Sequence, residues 1–233
     1  MTSTATDPET REANPVVRSM MQGRALVLVA ILLFALTLRA AVTSLTPLLT
    51  EISHEIGFGA TVIGVFGMLP TAMFAAAGIV TPVMTTRFGL ERTTLIAVGA
   101  TALGVAVRSV MSGTGGLLAF SCLALLGMGI GNVVIPPLVK RYFSERVAFL
   151  STAYLTCVQL GTMIPALTAV PVADAMGWRF SLGMWAIIPV AAFLPWLGIV
   201  IARRGHDIND VTAEETAEPK GQIWGSAEGL VVT

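Results

Sequence analysis

Six stretches of this 233-residue chain are long, apolar and almost free of charge, and that pattern leaves few folds open. They cover residues 25–50, 60–86, 93–107, 117–139, 147–173 and 180–202, the first interrupted only by Arg39. The third is the shortest, and reaches 19 residues if it continues through Arg108 to Met111. A helix of about 20 apolar residues crosses the hydrocarbon core of a bilayer. Buried helices of soluble proteins rarely need that length, and soluble chains do not repeat it six times. The pattern therefore predicts an all-α membrane protein with six transmembrane helices. Prolines inside the runs, such as Pro70, Pro82, Pro136 and Pro165, are compatible with this, because membrane helices tolerate them. So is a charged content of 12%, about half that of a soluble domain.

Charge between the runs sets the orientation. One side collects Arg11, Arg18, Arg24, Arg87, Arg92, Lys140, Arg141, Arg146, Arg203, Arg204 and Lys220; the other has only Arg179, beside Glu51, Glu55 and Asp174. Positive loops stay in the cytoplasm, so both termini are expected there, in a multi-pass protein of the inner or plasma membrane. Residues 1–24 read as a disordered cytoplasmic arm, 25–204 as the bundle and 205–233 as a cytoplasmic linker. A formal net charge of zero gives no sign of a nucleic-acid partner. Cys122 and Cys157 lack metal-site spacing, and no cofactor, metal cluster or nucleophile–base arrangement is visible. Catalysis has no support in the residues.

Polar residues at membrane depth carry what function can be read. Arg39 lies near mid-membrane, where facing lipid costs several kcal/mol, so it should face a protein interior or a wet cavity. Thr43, Thr46 and Thr50 follow at offsets that continue one face of the helix. An anion-binding or gating arginine is one reading; an arginine satisfied by carbonyls or a glutamine across the bundle is the other. Arg108, near the outer end of its run, either snorkels to headgroups or serves an outer gate. In GMGIGNVVIPPLVK (127–140), Gly127 and Gly131 allow close helix contact, and Asn132 needs a partner, either a substrate or a neighbouring helix. Pro136 and Pro137 are expected to bend the inner end. Gln159 is central in the fifth run, a partner for Arg39 or for a ligand. Trp178 and Trp196, near run ends, read as belt residues. His54, beside Glu51 and Glu55, reads as a surface residue or a pH-sensitive gate element.

Four stretches together carry a resemblance: LTLRAAVTSLTPLL (36–49), TRFGLERTTL (86–95), GIGNVVIPPLVKRYF (129–143) and DAMGWRFSLGMWA (174–186). Their order resembles the N-terminal six-helix half of a major facilitator superfamily transporter, in the cyanate/nitroimidazole branch. RFGLER resembles the superfamily's loop between helices 2 and 3, although Pro82 and Thr86 stand where the general pattern has glycine and aspartate. The resemblance implies alternating access between two six-helix bundles, with small anions or small nitrogenous solutes as cargo. It matches Arg39 to the family's recurrent first-helix arginine; depth and polarity add Thr43, Asn132 and Gln159 as candidate substrate contacts, with Arg87, Arg92, Arg108 and Pro136 as candidate gating residues. GQIWGSAEGLVVT at the end resembles the lead-in to a seventh helix. One half supplies one wall of the cavity, so the chain is expected to be a fragment or interrupted gene product, or else to pair with a second six-helix half or a homodimer partner, alongside membrane lipid. The alternative is a remnant or scaffold that inserts and moves nothing.

Overall fold

The computed structural model describes residues 15–217. Six helical spans are long and apolar enough to cross a membrane: Ala25–Ile56, Ala60–Phe88, Leu90–Arg108, Thr114–Tyr142, Ser144–Met176 and Trp178–Ala202. We number them spans 1 to 6. With an even number of crossings, residues 25 and 202 lie on one side; that end is the terminal rim and the opposite end the distal rim. Helix precedes the first run, starting at Pro15, and follows the sixth, ending at Ala217. Of the arm proposed over residues 1–24, residues 1–14 lie outside the described residues, as does the tail beyond Ala217.

Span 4 is the hub of one side of the bundle and span 1 of the other. Span 4 packs on spans 2 and 3, span 1 on spans 5 and 6, and spans 3 and 6 meet between them. Small residues make those approaches possible, since association in lipid depends on packing rather than on the hydrophobic effect. A Cβ on Gly127 would sit 2.6 Å from the Ala97 carbonyl of span 3. On Gly129 it would lie 2.6 Å from Ala77 of span 2, and on Gly131 2.6 Å from Phe34 and Leu38 of span 1. The run GMGIG thus seats three different helices, rather than presenting Gly127 and Gly131 to one.

The apolar interior forms two large stacked clusters and a small third one at Val105, Ala124 and Met128. The one nearer the terminal rim holds Phe34, Leu38, Ile135, Leu138 and Trp196. The distal one holds Leu48, Ile52, Leu117, Trp178 and Leu182. Trp196 is 0% exposed, so the belt position expected for it is wrong: its ring fills the core between spans 1, 3 and 6. Trp178 is likewise buried, with only its indole N–H reaching the rim.

Between the two clusters span 1 is interrupted. Regular helix ends at Thr37 and resumes at Ala40. The Leu38 amide bonds to the Ala35 carbonyl at 3.2 Å, a tightened turn, and Arg39 takes φ −125° and ψ −11°. Thr37 Oγ1 donates to the Phe34 carbonyl at 2.7 Å, competing for an acceptor the helix would use. Opposite the break, the Leu36 carbonyl occupies the space a side chain at Gly161 would need. Span 4, by contrast, is one continuous helix across Pro136 and Pro137. Proline does not break it there.

Candidate translocation face

Rotation about each helix axis decides what a polar residue can touch. In span 1, Leu38 and Ala40 are buried while Arg39 between them is exposed. Thr43 is half-buried, and Thr46 and Thr50 are exposed, so the stripe anticipated from their spacing lies on the outside of this bundle. Thr43 Oγ1 donates to the Arg39 carbonyl at 3.1 Å and Thr46 Oγ1 to the Val42 carbonyl at 2.8 Å. Each hydroxyl proton is thereby spent on its own helix, and the hydroxyl oxygens keep acceptor capacity.

Asn132 and Gln159 are exposed as well. Asn132 Nδ2 donates to the Met128 carbonyl of its own helix at 3.1 Å, which satisfies part of the amide and leaves its oxygen unused by that bond. Gln159 is not bonded to Arg39, and among the described residues the Arg39 guanidinium makes no hydrogen bond or ion pair. At 1.5 Å per residue, Arg39 lies about 21 Å along the chain from Ala25, Asn132 about 15 Å from Tyr142 and Gln159 about 22 Å from Ser144. All three therefore lie well inside their spans, away from the terminal rim. They stand on spans 1, 4 and 5, which touch one another pairwise. The set offers a fixed cation and neutral amides without a carboxylate, chemistry that suits an anion or a hydrogen-bonding neutral solute.

The other four anticipated residues lie elsewhere. Arg87 and Arg92 are exposed at the terminal rim, flanking the tight turn at Gly89. Pro136 is exposed, in a helix that continues past it. Arg108 overturns the snorkelling reading: it is 0% exposed, inside the bundle. Its Nη2 donates to Ser44 Oγ of span 1 at 3.4 Å. It also borders a cavity of about 10 Å³, room for roughly one water, shared with Thr46, Phe66 and Pro70. Length and hydropathy could not foresee that inward turn.

Two acids have partners that the sequence did not reveal. Glu91 accepts from Tyr142 Oη at 2.9 Å and pairs with Arg141 Nη1 at 3.3 Å. Glu55 accepts from Trp178 Nε1 at 2.5 Å and pairs with Arg179. The signal available was an acid in the first turn of the third span, where a helix N-terminus favours it.

Comparison with known proteins places this architecture. The model of the Major Facilitator Superfamily matches residues 26–229, most of the chain. The chain belongs to the major facilitator superfamily. The 2-nitroimidazole transporter of Escherichia coli is 32% identical over 179 residues, covering 76% of this chain and 45% of that protein. An uncharacterized transporter of Bacillus subtilis, YycB, is 29% identical over 206 residues, 87% of this chain and 49% of its own. The cyanate transport protein CynX of Escherichia coli is 24% identical over 170 residues, 72% and 44%. The chain spans about half the length of the relatives it matches. Six spans with two hub helices are thus those of one superfamily bundle, in a multi-pass membrane protein.

Proposed function

We propose that this bundle forms one wall of an alternating-access transporter for a small solute. The cargo is an anion of cyanate size or a small nitrogenous compound. A second six-helix half, or a second copy of the chain, supplies the other wall. The observation that carries this reading is Arg39, exposed on the bundle at mid-membrane depth without a bonding partner among the described residues. A guanidinium there cannot face hydrocarbon without a cost of several kcal/mol. Its face must therefore be covered by polypeptide, by water or by a bound solute. Thr43, Asn132 and Gln159, at least partly exposed on spans 1, 4 and 5, add uncharged hydrogen-bonding groups, and the names of two relatives supply the cargo classes. Arg87 and Arg92 act at the terminal rim as gating residues, with that rim in the cytoplasm of the cell's inner membrane. Arg108 and Pro136 contribute to gating through the packing of spans 1, 3 and 4.

Reconstitution tests it. Liposomes holding the chain together with a second six-span half are expected to take up cyanate or 2-nitroimidazole. Arg39→Gln is expected to raise the apparent KM about 10- to 100-fold, the loss of one charge-assisted contact. Uptake at the liposome background for both preparations, with the protein correctly inserted, would leave a non-transporting scaffold as the function.

A further inference from the structure

The packing of the bundle obeys an exchange of span 1 with 4, 2 with 5 and 3 with 6. Contacts of span 4 with spans 2 and 3 map onto contacts of span 1 with spans 5 and 6; the pairs 3–6 and 1–4 map onto themselves. Burial of the most apolar 18-residue stretch follows the exchange for two of the three pairs, 47% and 56% in spans 1 and 4 against 11% and 22% in spans 2 and 5, while spans 3 and 6 differ at 44% and 28%. Such inverted three-span repeats are a general feature of this class of bundle.

The links confirm the register. Spans 2 and 3 are joined through the single residue Gly89 at φ 80° and ψ 165°, spans 5 and 6 through Gly177 at φ 84° and ψ 153°. Two residues after each glycine stands a charge, Glu91 and Arg179. Each meets the opposite charge two residues before the cap of a hub helix. Arg141 precedes Phe143, which caps span 4, and Glu55 precedes Gly57, which caps span 1. Each acid also accepts from an aromatic donor, Tyr142 or Trp178, and the Arg179 guanidinium lies 4.4 Å from the centre of the Trp178 ring.

We infer that Glu91–Arg141 at the terminal rim and Glu55–Arg179 at the distal rim are counterpart clips, related by the internal exchange with their charges inverted, that fasten the two repeats into one rigid body. Both sit on seams between repeats, span 3 against span 4 and span 6 against span 1. Inside the membrane those seams are held by close packing, with no hydrophobic driving force to add to it against a slide of one span along the other. A polar clip at each end stops the slide. Rigid-body rocking of one bundle against another requires that property. The inference concerns the mechanics of this bundle and stands whether or not the chain carries a solute.

Backbone amide exchange of the full chain in lipid nanodiscs reads the clips directly. E91Q and R141Q are each expected to speed exchange at residues 89–93 and 139–143 about tenfold, leaving the distal rim unchanged. E55Q and R179Q are expected to do the same at residues 53–57 and 177–181, about threefold, because that pair is half-exposed. The exchanged pairs separate a clip from ordinary rim packing. E55R/R179E puts a cation at a helix C-terminus and an anion at an N-terminus, in line with the helix dipoles, and should restore protection fully. E91R/R141E opposes the dipoles and should restore it in part. Simple additivity of the two single substitutions at either rim, or swaps no better than the singles, overturns the inference. Should E91Q fail to insert, E91D and R141K are read the same way.

Discussion

Arg39, Gly161 and Arg108 show how much one residue decides in this bundle. Arg39 is exposed where lipid cannot accept it, which its depth in the sequence already implied; which neighbour it faces was not readable there. Gly161 looks unremarkable in YLTCVQLGTMIP, yet it admits the Leu36 carbonyl where span 1 breaks. Gly161→Ala is expected to cost about 1–3 kcal/mol through overpacking, seen as a lowered midpoint of thermal unfolding in detergent. Trp196→Ala should cost more, about 3–5 kcal/mol by the same measurement, because a fully buried indole is removed. A belt tryptophan would change the midpoint little. Arg108 is a buried cation that donates to Ser44 Oγ, so Arg108→Met, which keeps volume but removes one partner of a buried contact, is expected to cost about 1–3 kcal/mol by the same measurement.

At the scale of the element, the limits of the six runs and of the six spans agree closely, because both follow from where charge and turn residues interrupt apolar sequence. The internal behaviour of two spans does not follow that way. LFALTLRAAV contains neither glycine nor proline, yet the helix is interrupted at Leu38 and Arg39. VVIPPLV contains two prolines, yet its helix is continuous. The first coincides with two contacts, the Thr37 hydroxyl on the Phe34 carbonyl and the Leu36 carbonyl against Gly161 of span 5. In the second, a proline inside a packed membrane helix loses one donor without losing the helix. Amides at residues 37–40 are therefore expected to exchange faster than those at 30–34 of the same span. Equal protection would mean that the interruption is absent in the membrane.

For the whole molecule, the loop charges predict that cysteines placed at Arg92 or Arg146 are shielded from a membrane-impermeant thiol reagent outside the cell. Cysteines at His54 or Met176 should react; the reverse pattern would invert the topology. Both sites in each pair are exposed on the bundle, so reactivity reports the side of the membrane rather than burial. The sequence by itself determined six crossings, their limits and the expected common side of the termini, because partition into lipid depends on length, hydropathy and loop charge along one dimension. Tertiary structure alone decided which way each helix is turned: Arg108 and Trp196 inward, Arg39, Asn132 and Gln159 outward, and two acids into clips at opposite rims. In water the apolar side of a helix announces its core face. In lipid both sides are apolar, so rotation is set only by close packing and by the few polar groups that must find partners.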